Sequence, residues 1–243
     1  MILDATGLDH RGVNARLRSE IDAGETNFHL ENVLGQRYIA AGITAPVRVA
    51  INGVPGDDLG AFMDGPSIFV NGNGQDGIGN TMSSGSIVIN GDARDLVGHS
   101  MRGGRIFIKG NVGYRVGVHM KSYEDRSPVI VVGGHAADFT GEYMAGGVIV
   151  ILNLREPEQL SAGNLTATGI HGGSMYIRGR LDEQILGREA VCRPLEEADD
   201  DLLRKLTDEF RGYFPEVQLE YNREEIRKLI PVSHRPYGRL YAY

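Results

Sequence analysis

The sequence predicts an all-β protein: a right-handed parallel β-helix of about 19–20 residues per coil and roughly seven coils, with short flanking α-helices. Three observations carry that expectation. Between residues 47 and 153 one short sequence recurs, and a glycine closes its apolar run at Gly53, Gly72, Gly91 and Gly110, 19 residues apart, with Gly133 following after 23. A second glycine falls seven residues later, at Gly60, Gly79, Gly98 and Gly117, and eight later at Gly141; three beyond each stands Met63, Met82, Met101, Met120 or Met144. Two apolar positions, one residue apart, precede each marker: Val49/Ile51, Ile68/Val70, Ile87/Ile89, Ile106/Ile108 and Val129/Val131. That is the spacing of side chains sharing one face of a strand.

A unit of this length cannot bury its apolar face alone and must stack on its neighbours. Leucine-rich repeats share the length but need a Leu-x-x-Leu-x-Leu frame and a helical segment per unit, and neither is present. Two or three short strands joined at glycine corners remain, which is one coil of a parallel β-helix. Equivalent side chains then lie about 4.8 Å apart. Ile68, Ile87 and Ile106 form one interior column; Val70, Ile89 and Ile108 form a second; the methionines form a third. Glycine serves at corners where φ is positive or where backbone packs on backbone.

Residues 1–26 are expected as an N-terminal helical cap, because Val13, Leu17 and Ile21 recur at i, i+4, i+8 before Gly24. Residues 27–192 form the β-helix, opening with an imperfect coil over 27–46. Two insertions interrupt it, KSYEDRSP at 121–128 and LREPEQLSAGN at 154–164, before the phase returns at Gly179 and Gly187. Residues 193–243 read as C-terminal helices and an extended docking tail. The first helix carries Leu202, Leu203, Leu206 and Phe210 on one face, with acidic residues in its first turns, where the helix dipole favours them. A second helix is expected in NREEIRKLI, with Asn222 as N-cap and Glu225 completing a capping box. The tail is rich in Tyr and Arg and too poor in apolar residues to fold alone, so it should lie along something.

The chain has 243 residues, 34 of them glycine, and a net charge of -7. No lysine or arginine run forms a basic face, which argues against nucleic acid. The single cysteine, Cys192, excludes an internal disulfide and fits a reducing compartment. With no apolar leader and no long apolar run, the expectation is a cytoplasmic protein with no membrane partner.

Several patterns invite a chemical reading. GNGQDG, residues 72–77, matches G-x-G-x-x-G, but no helix follows to receive a pyrophosphate. GHSMRGG around Ser100 approaches a hydrolase elbow, but Arg102 stands where glycine is needed, and Ser100 falls in the phase of Phe62, Thr81, His119 and Tyr143. A free-standing esterase using Ser100 is therefore the weaker alternative. His99 and His119 fall in neighbouring coils, short of the ligands zinc normally takes. The methionine column reads as core packing. No catalytic, cofactor-binding or metal residue is assigned; the glycines named above, with Gly179, are structural. Candidate interface residues are Lys121, Tyr123 and Arg126 in the first insertion and Arg235, Tyr237, Arg239 and Tyr241 in the tail.

The coils GYRVGVHM, VVGGHAADFTGEYMAGGVIVIL and GIHGGSMYIRG resemble the C-terminal domain of the large subunit of glutamate synthase, over roughly residues 28–190. A more distant resemblance is to the C-type β-helix subunit of formylmethanofuran dehydrogenase, part of a molybdenum or tungsten enzyme. The first resemblance implies a non-catalytic β-helix made as a separate polypeptide. Its implied partners are a class-II glutamine amidotransferase subunit and an FMN-dependent glutamate synthase subunit, with FMN and iron–sulfur clusters in those partners and none here. The implied process is amino transfer from glutamine to 2-oxoglutarate, and the isolated chain is left open to homo-oligomerisation.

Overall fold

The structure, a computed structural model, describes residues 1–234. Nine strands stack in chain order, each parallel to the next: β1 (Ile2–Asp4), β2 (Asn27–Leu34), β3 (Arg48–Val54), β4 (Asp64–Asn71), β5 (Ser84–Ile89), β6 (Arg105–Ile108), β7 (Val129–Val132), β8 (Ala145–Ile151) and β9 (Gly172–Arg178). The chain is a parallel β-solenoid. Each coil contributes one regular strand and returns through tight turns, with only isolated bridges, such as Val112 to Ala136 to Ala162, on the return side.

Strand register builds the interior. Phe28, Val49, Ile68, Ile87, Ile106, Ile130, Ile149 and Met175 align as one column, and Leu30, Ile51, Val70, Ile89, Ile108, Val132, Ile151 and Ile177 as the next. The five methionines form a third, all fully buried. Every member belongs to one continuous core. β-Branched side chains suit these positions, since their stiff χ1 packs well on a pleated surface.

The fifth coil corrects the expected phase. Ile130 and Val132 face the interior, while Val129 and Val131 point outward. The true successor of Gly110 is Gly134, whose N–H donates to the Gly110 carbonyl at 2.8 Å. The insertion is thus one residue longer than Gly133 suggested, and Gly141 falls seven residues after Gly134, as in the other coils. A slip of one residue exchanges the faces of a strand. It was invisible because all four residues of β7 are buried, leaving no alternation to read.

The outer face is buried by α2 (Glu197–Tyr213), whose Leu203, Leu206 and Phe210, with Phe214 just beyond, cover Val88, Phe107, Val131, Val150 and Tyr176. Its N-terminus is anchored by Asp199. That carboxylate accepts from Tyr176 Oη at 2.5 Å, Lys228 Nζ at 2.7 Å and Glu196 N–H at 2.7 Å. The other helix, α1 (His10–Asp22), begins at the N-cap Asp9 and buries Val13 and Leu17 against the first coil.

Both ends of the stack depart from expectation. Before α1, β1 pairs with β2 and extends the sheet by a strand. At the other end NREEIRKLI is not a helix. Asn222 caps only a single 3₁₀ turn, Arg223–Glu225, and the rest is β11 (Ile226–Pro231), inserted antiparallel between β9 and β10 (Ala190–Arg193). So short a helix has little stability of its own, whereas the unpaired edge of β9 offers a full ladder of hydrogen bonds.

Beside the strands runs a polar ladder. Asn90 donates to Asn71 at 3.3 Å, Asn71 to Asn52 at 3.4 Å and Asn52 to Glu31 at 2.8 Å, while Lys109 donates to Asn90 at 3.0 Å. The amide dipoles align, and a carboxylate and an ammonium complete the two ends.

Candidate functional site

The interior is closed by its own side chains, so any functional site lies on the surface. The most unusual surface is the corner that carries the second glycine of each coil. In one coil Ala61 N–H donates to Asp58 O and Met63 N–H to Gly60 O, both at 3.2 Å, making two overlapping turns. Three residues there have positive φ: Asp58 at 60°, Gly60 at 65° and Phe62 at 58°. The pattern repeats at Leu96, Gly98 and Ser100, at Arg115, Gly117 and His119, and at Phe139, Gly141 and Tyr143. In the central coils the middle residue is glycine, and a Cβ on Gly98 would collide with Ile130 Cδ1 of the interior column, whereas Ala40 and Ala167 hold the same place, at φ of 58° and 60°, in the first and last coils. The flanking residues point outward and carry side chains despite a left-handed conformation that disfavours them.

Those flanking positions make a ridge along the solenoid axis. Tyr38, Phe62, Leu96, Tyr143 and Leu165 all lie exposed on it, Phe62 at 61%. The His119 and Tyr143 rings stack at 5.3 Å, and His99 meets His119 edge-on at 6.2 Å. Arg115 lies over the Phe139 ring at 4.9 Å and pairs with Glu142 at 2.9 Å. Sequence reading placed Phe62, His119 and Tyr143 in one phase with Thr81 and Ser100 without recognising the ridge or its second row, Tyr38, Leu96, Arg115, Phe139 and Leu165. The available signal was the recurrence of large apolar residues where neighbouring coils use Thr or Ser.

The chemical candidates dissolve into this repeat. Ser100 has the left-handed conformation shared by Phe62, Thr81, His119 and Tyr143, so its geometry is architectural. Among the described residues its hydroxyl makes no hydrogen bond to a histidine. Burial, then the neighbouring His119, hold His99 below the ordinary imidazole pKa, with Asp58 opposing. No group of three or more metal-ligating side chains occurs among the described residues. GNGQDG occupies a strand end and the following corner, with no helix N-terminus beside it. Burial pushes the Cys192 thiol up to about 11, with Glu183 adding to the effect, which suppresses the thiolate.

Of the candidate interface residues, Lys121 and Tyr123 are exposed at the first insertion. Arg126 is exposed as well and also turns back to pair with Asp64 at 3.4 Å. The second insertion behaves alike, with Arg155 meeting Asp92 at 2.7 Å. Each insertion is therefore strapped to an earlier coil by one arginine. Arg235, Tyr237, Arg239 and Tyr241 lie outside the described residues. A further groove of about 490 Å³ lies on the outer face where α2 ends, with Phe69 and Tyr213 on its walls and Arg48 at its rim. No helix among the described residues is long and apolar enough to cross a membrane.

Comparison with known proteins gives two findings. The family described as the GXGXG motif matches residues 24–220. The protein of Methanocaldococcus jannaschii named "Uncharacterized protein MJ1350" is 43% identical over 251 residues, spanning 100% of this chain and 96% of that protein.

Proposed function

From the premise that the chain belongs to the GXGXG motif family, we propose that it is a non-catalytic assembly subunit of a glutamate-synthase-type complex. The observation that carries this reading is that the family match, residues 24–220, covers the stacked coils from β2 to β9 and runs on through α2. In this reading a class-II amidotransferase subunit releases ammonia from glutamine. An FMN-dependent synthase subunit uses it on 2-oxoglutarate, and the solenoid fixes the distance between the two. The physical fit is that of a spacer: one sheet runs unbroken through the stack over one continuous core, which resists bending at any single coil.

The cofactors of such a complex belong to the partners. An iron–sulfur cluster takes a set of cysteine thiolates, and this chain has a single cysteine with a raised pKa. A flavin phosphate would favour a glycine-rich turn at a helix N-terminus, and GNGQDG is not so placed.

The test is gentle purification of the tagged chain from its own cells. Co-purification of a yellow, FMN-absorbing protein and an amidotransferase, identified by mass spectrometry, is the expected result. A colourless homo-oligomer overturns the reading, and a molybdopterin or tungsten subunit moves the chain to a formylmethanofuran dehydrogenase-like complex.

A further inference from the structure

The two rows of the corner ridge run the length of the stack: Tyr38 to Leu165 covers six coil spacings, roughly 29 Å. Tyr38, Phe62, Leu96, Tyr143 and Leu165 expose apolar or aromatic surface along it, all at positive φ, where glycine or asparagine is favoured. Gly77, Thr81 and Ser100 interrupt the bulky groups and leave a notch between Phe62 and the stacked rings of His119 and Tyr143. A line of exposed apolar groups this long marks an interaction surface.

The charge beside the ridge is one-sided. The column next to Tyr38 and Leu96 holds Asp57, Asp76, Asp95 and Asp138, interrupted only by Tyr114. Arg37 pairs with Asp57 at 3.2 Å, and Arg94 lies 3.8 Å from Asp76. Among the described residues Asp95, Asp138 and the ridge residue Asp58 have no arginine or lysine partner. Each accepts on Oδ1, from Tyr114 N–H, Asn164 N–H and Asn80 Nδ2 respectively, which leaves the second carboxylate oxygen open to an incoming donor. On the opposite flank the corresponding column carries Asp64, already paired with Arg126, and then Arg102 and Lys121.

A complementary occupant sets apolar or aromatic side chains on the rings and cations along the aspartate flank. Nucleic acid fails the second condition. A second copy of this chain fails on area, since a strip one corner wide falls short of the roughly 800 Å² that each side of a stable interface buries. An extended segment meets both conditions, because its successive side chains point to opposite sides and can serve the aspartate flank and the rings in alternation.

We infer that the ridge docks an extended segment of a partner protein in which arginine or lysine alternates with tyrosine or leucine. The cations meet Asp58, Asp95 and Asp138, and one apolar side chain fills the notch over Thr81 and Ser100. The inference concerns this surface alone and holds whichever complex the chain serves.

The test is fluorescence anisotropy with the full chain and three labelled nonapeptides, each reaching roughly 30 Å when extended. One alternates arginine with tyrosine and leucine, one replaces every arginine by glutamate, and one replaces every tyrosine and leucine by serine. Only the first should bind, saturating at one peptide per chain. Asp95→Asn with Asp138→Asn keeps the oxygen that accepts from the backbone N–H of the next coil, and should weaken binding several-fold. Phe62→Ser with Tyr143→Ser should do the same, whereas Phe69→Ser on the outer sheet face should leave binding unchanged. Equal binding of the arginine–serine peptide would reduce the ridge to an unspecific acidic surface, and binding that survives both ridge pairs would place the site elsewhere. Self-association in sedimentation, lost in Phe62→Ser, would give the ridge to a second copy. Each of these outcomes overturns the inference, as does the absence of binding by the first peptide.

Discussion

At the residue scale, the corner sorts side chains by a test that composition does not reveal. Gly98 needs its missing Cβ twice, for its φ of 67° and for the Ile130 methyl above it. Gly98→Ala should therefore cost about 2–4 kcal/mol in urea unfolding, combining left-handed strain with overpacking. Phe62→Gly should do the opposite, raising the stability of the isolated chain by up to about 1 kcal/mol, because relief of strain exceeds the added entropy of the unfolded chain. A destabilising Phe62→Gly would show that the ring packs on the corner instead of straining it. Asp199 supplies the pH dependence. Burial pushes its pKa up, but bonds from Glu196 N–H, Lys228 and Tyr176 outweigh burial and leave it below the ordinary value. A carboxyl depressed in the folded state stabilises above its unfolded pKa, near 3.9, and loses that contribution as pH falls through the folded value. Asp199→Asn should thus cost about 3 kcal/mol or more at pH 7, since Lys228 is left buried and unpaired, and the difference from wild type should shrink below about pH 4. A difference that stays constant with pH would mean that the network acts through shape alone.

At the element scale, α2 is held by apolar contacts that its own periodicity disclosed. Phe210 is fully buried between the helix and the outer strand face, and its ring lies over Gly133, where a Cβ would meet it. Phe210→Ala should cost about 3–5 kcal/mol. Because α2 adds no strand to the sheet, the expected signature is early loss of helical circular dichroism while the coils persist; a single concerted transition would make the helix an obligate part of the core. The same helix explains what sequence reading missed. The coils β3 to β6 were legible because polar residues flank each apolar run on the outward face, Arg48 and Asn52, Ser67 and Asn71, Ser86 and Asn90, Arg105 and Lys109, even where the outward residue between them is Phe69, Val88 or Phe107. Under α2 the outward positions Val129, Val131 and Val150 are as apolar as the inward ones, so period two disappears and the phase of β7 slipped. The end strand β11 was misread for a different reason. In NREEIRKLI a good N-cap is a local signal for a helix, whereas the open edge of β9 that claims Ile226–Pro231 is known only once the stack exists. The corner ridge shares that difficulty, since a left-handed φ at Leu96 or Phe62 leaves no mark on composition.

At the scale of the molecule, a solenoid couples each coil to its two neighbours and to little else, so the position of a lesion should decide how much is lost. Ile89 lies midway along the second interior column, fully buried between Val70 and Ile108. Ile89→Asp places a carboxylate where no cation can reach it and should cost several kcal/mol, enough to leave the chain insoluble. Leu3 belongs to the same column, in register with Leu30, but on the terminal strand. Leu3→Asp should release only β1 and α1. Hydrogen exchange would show this as lost protection over residues 1–26 with protection retained from β3 to β9. If Leu3→Asp instead abolished protection throughout, α1 would be the keystone of the stack and not its cover. If Ile89→Asp folded solubly with coils protected on both sides, the column would tolerate a polar break and the stiffness on which a spacer role depends would be lost. A pair in which the central charge is ruinous and the terminal one local is what a stack of mutually dependent coils requires, and it is the behaviour that would let partners held at separate points along the solenoid keep a fixed separation.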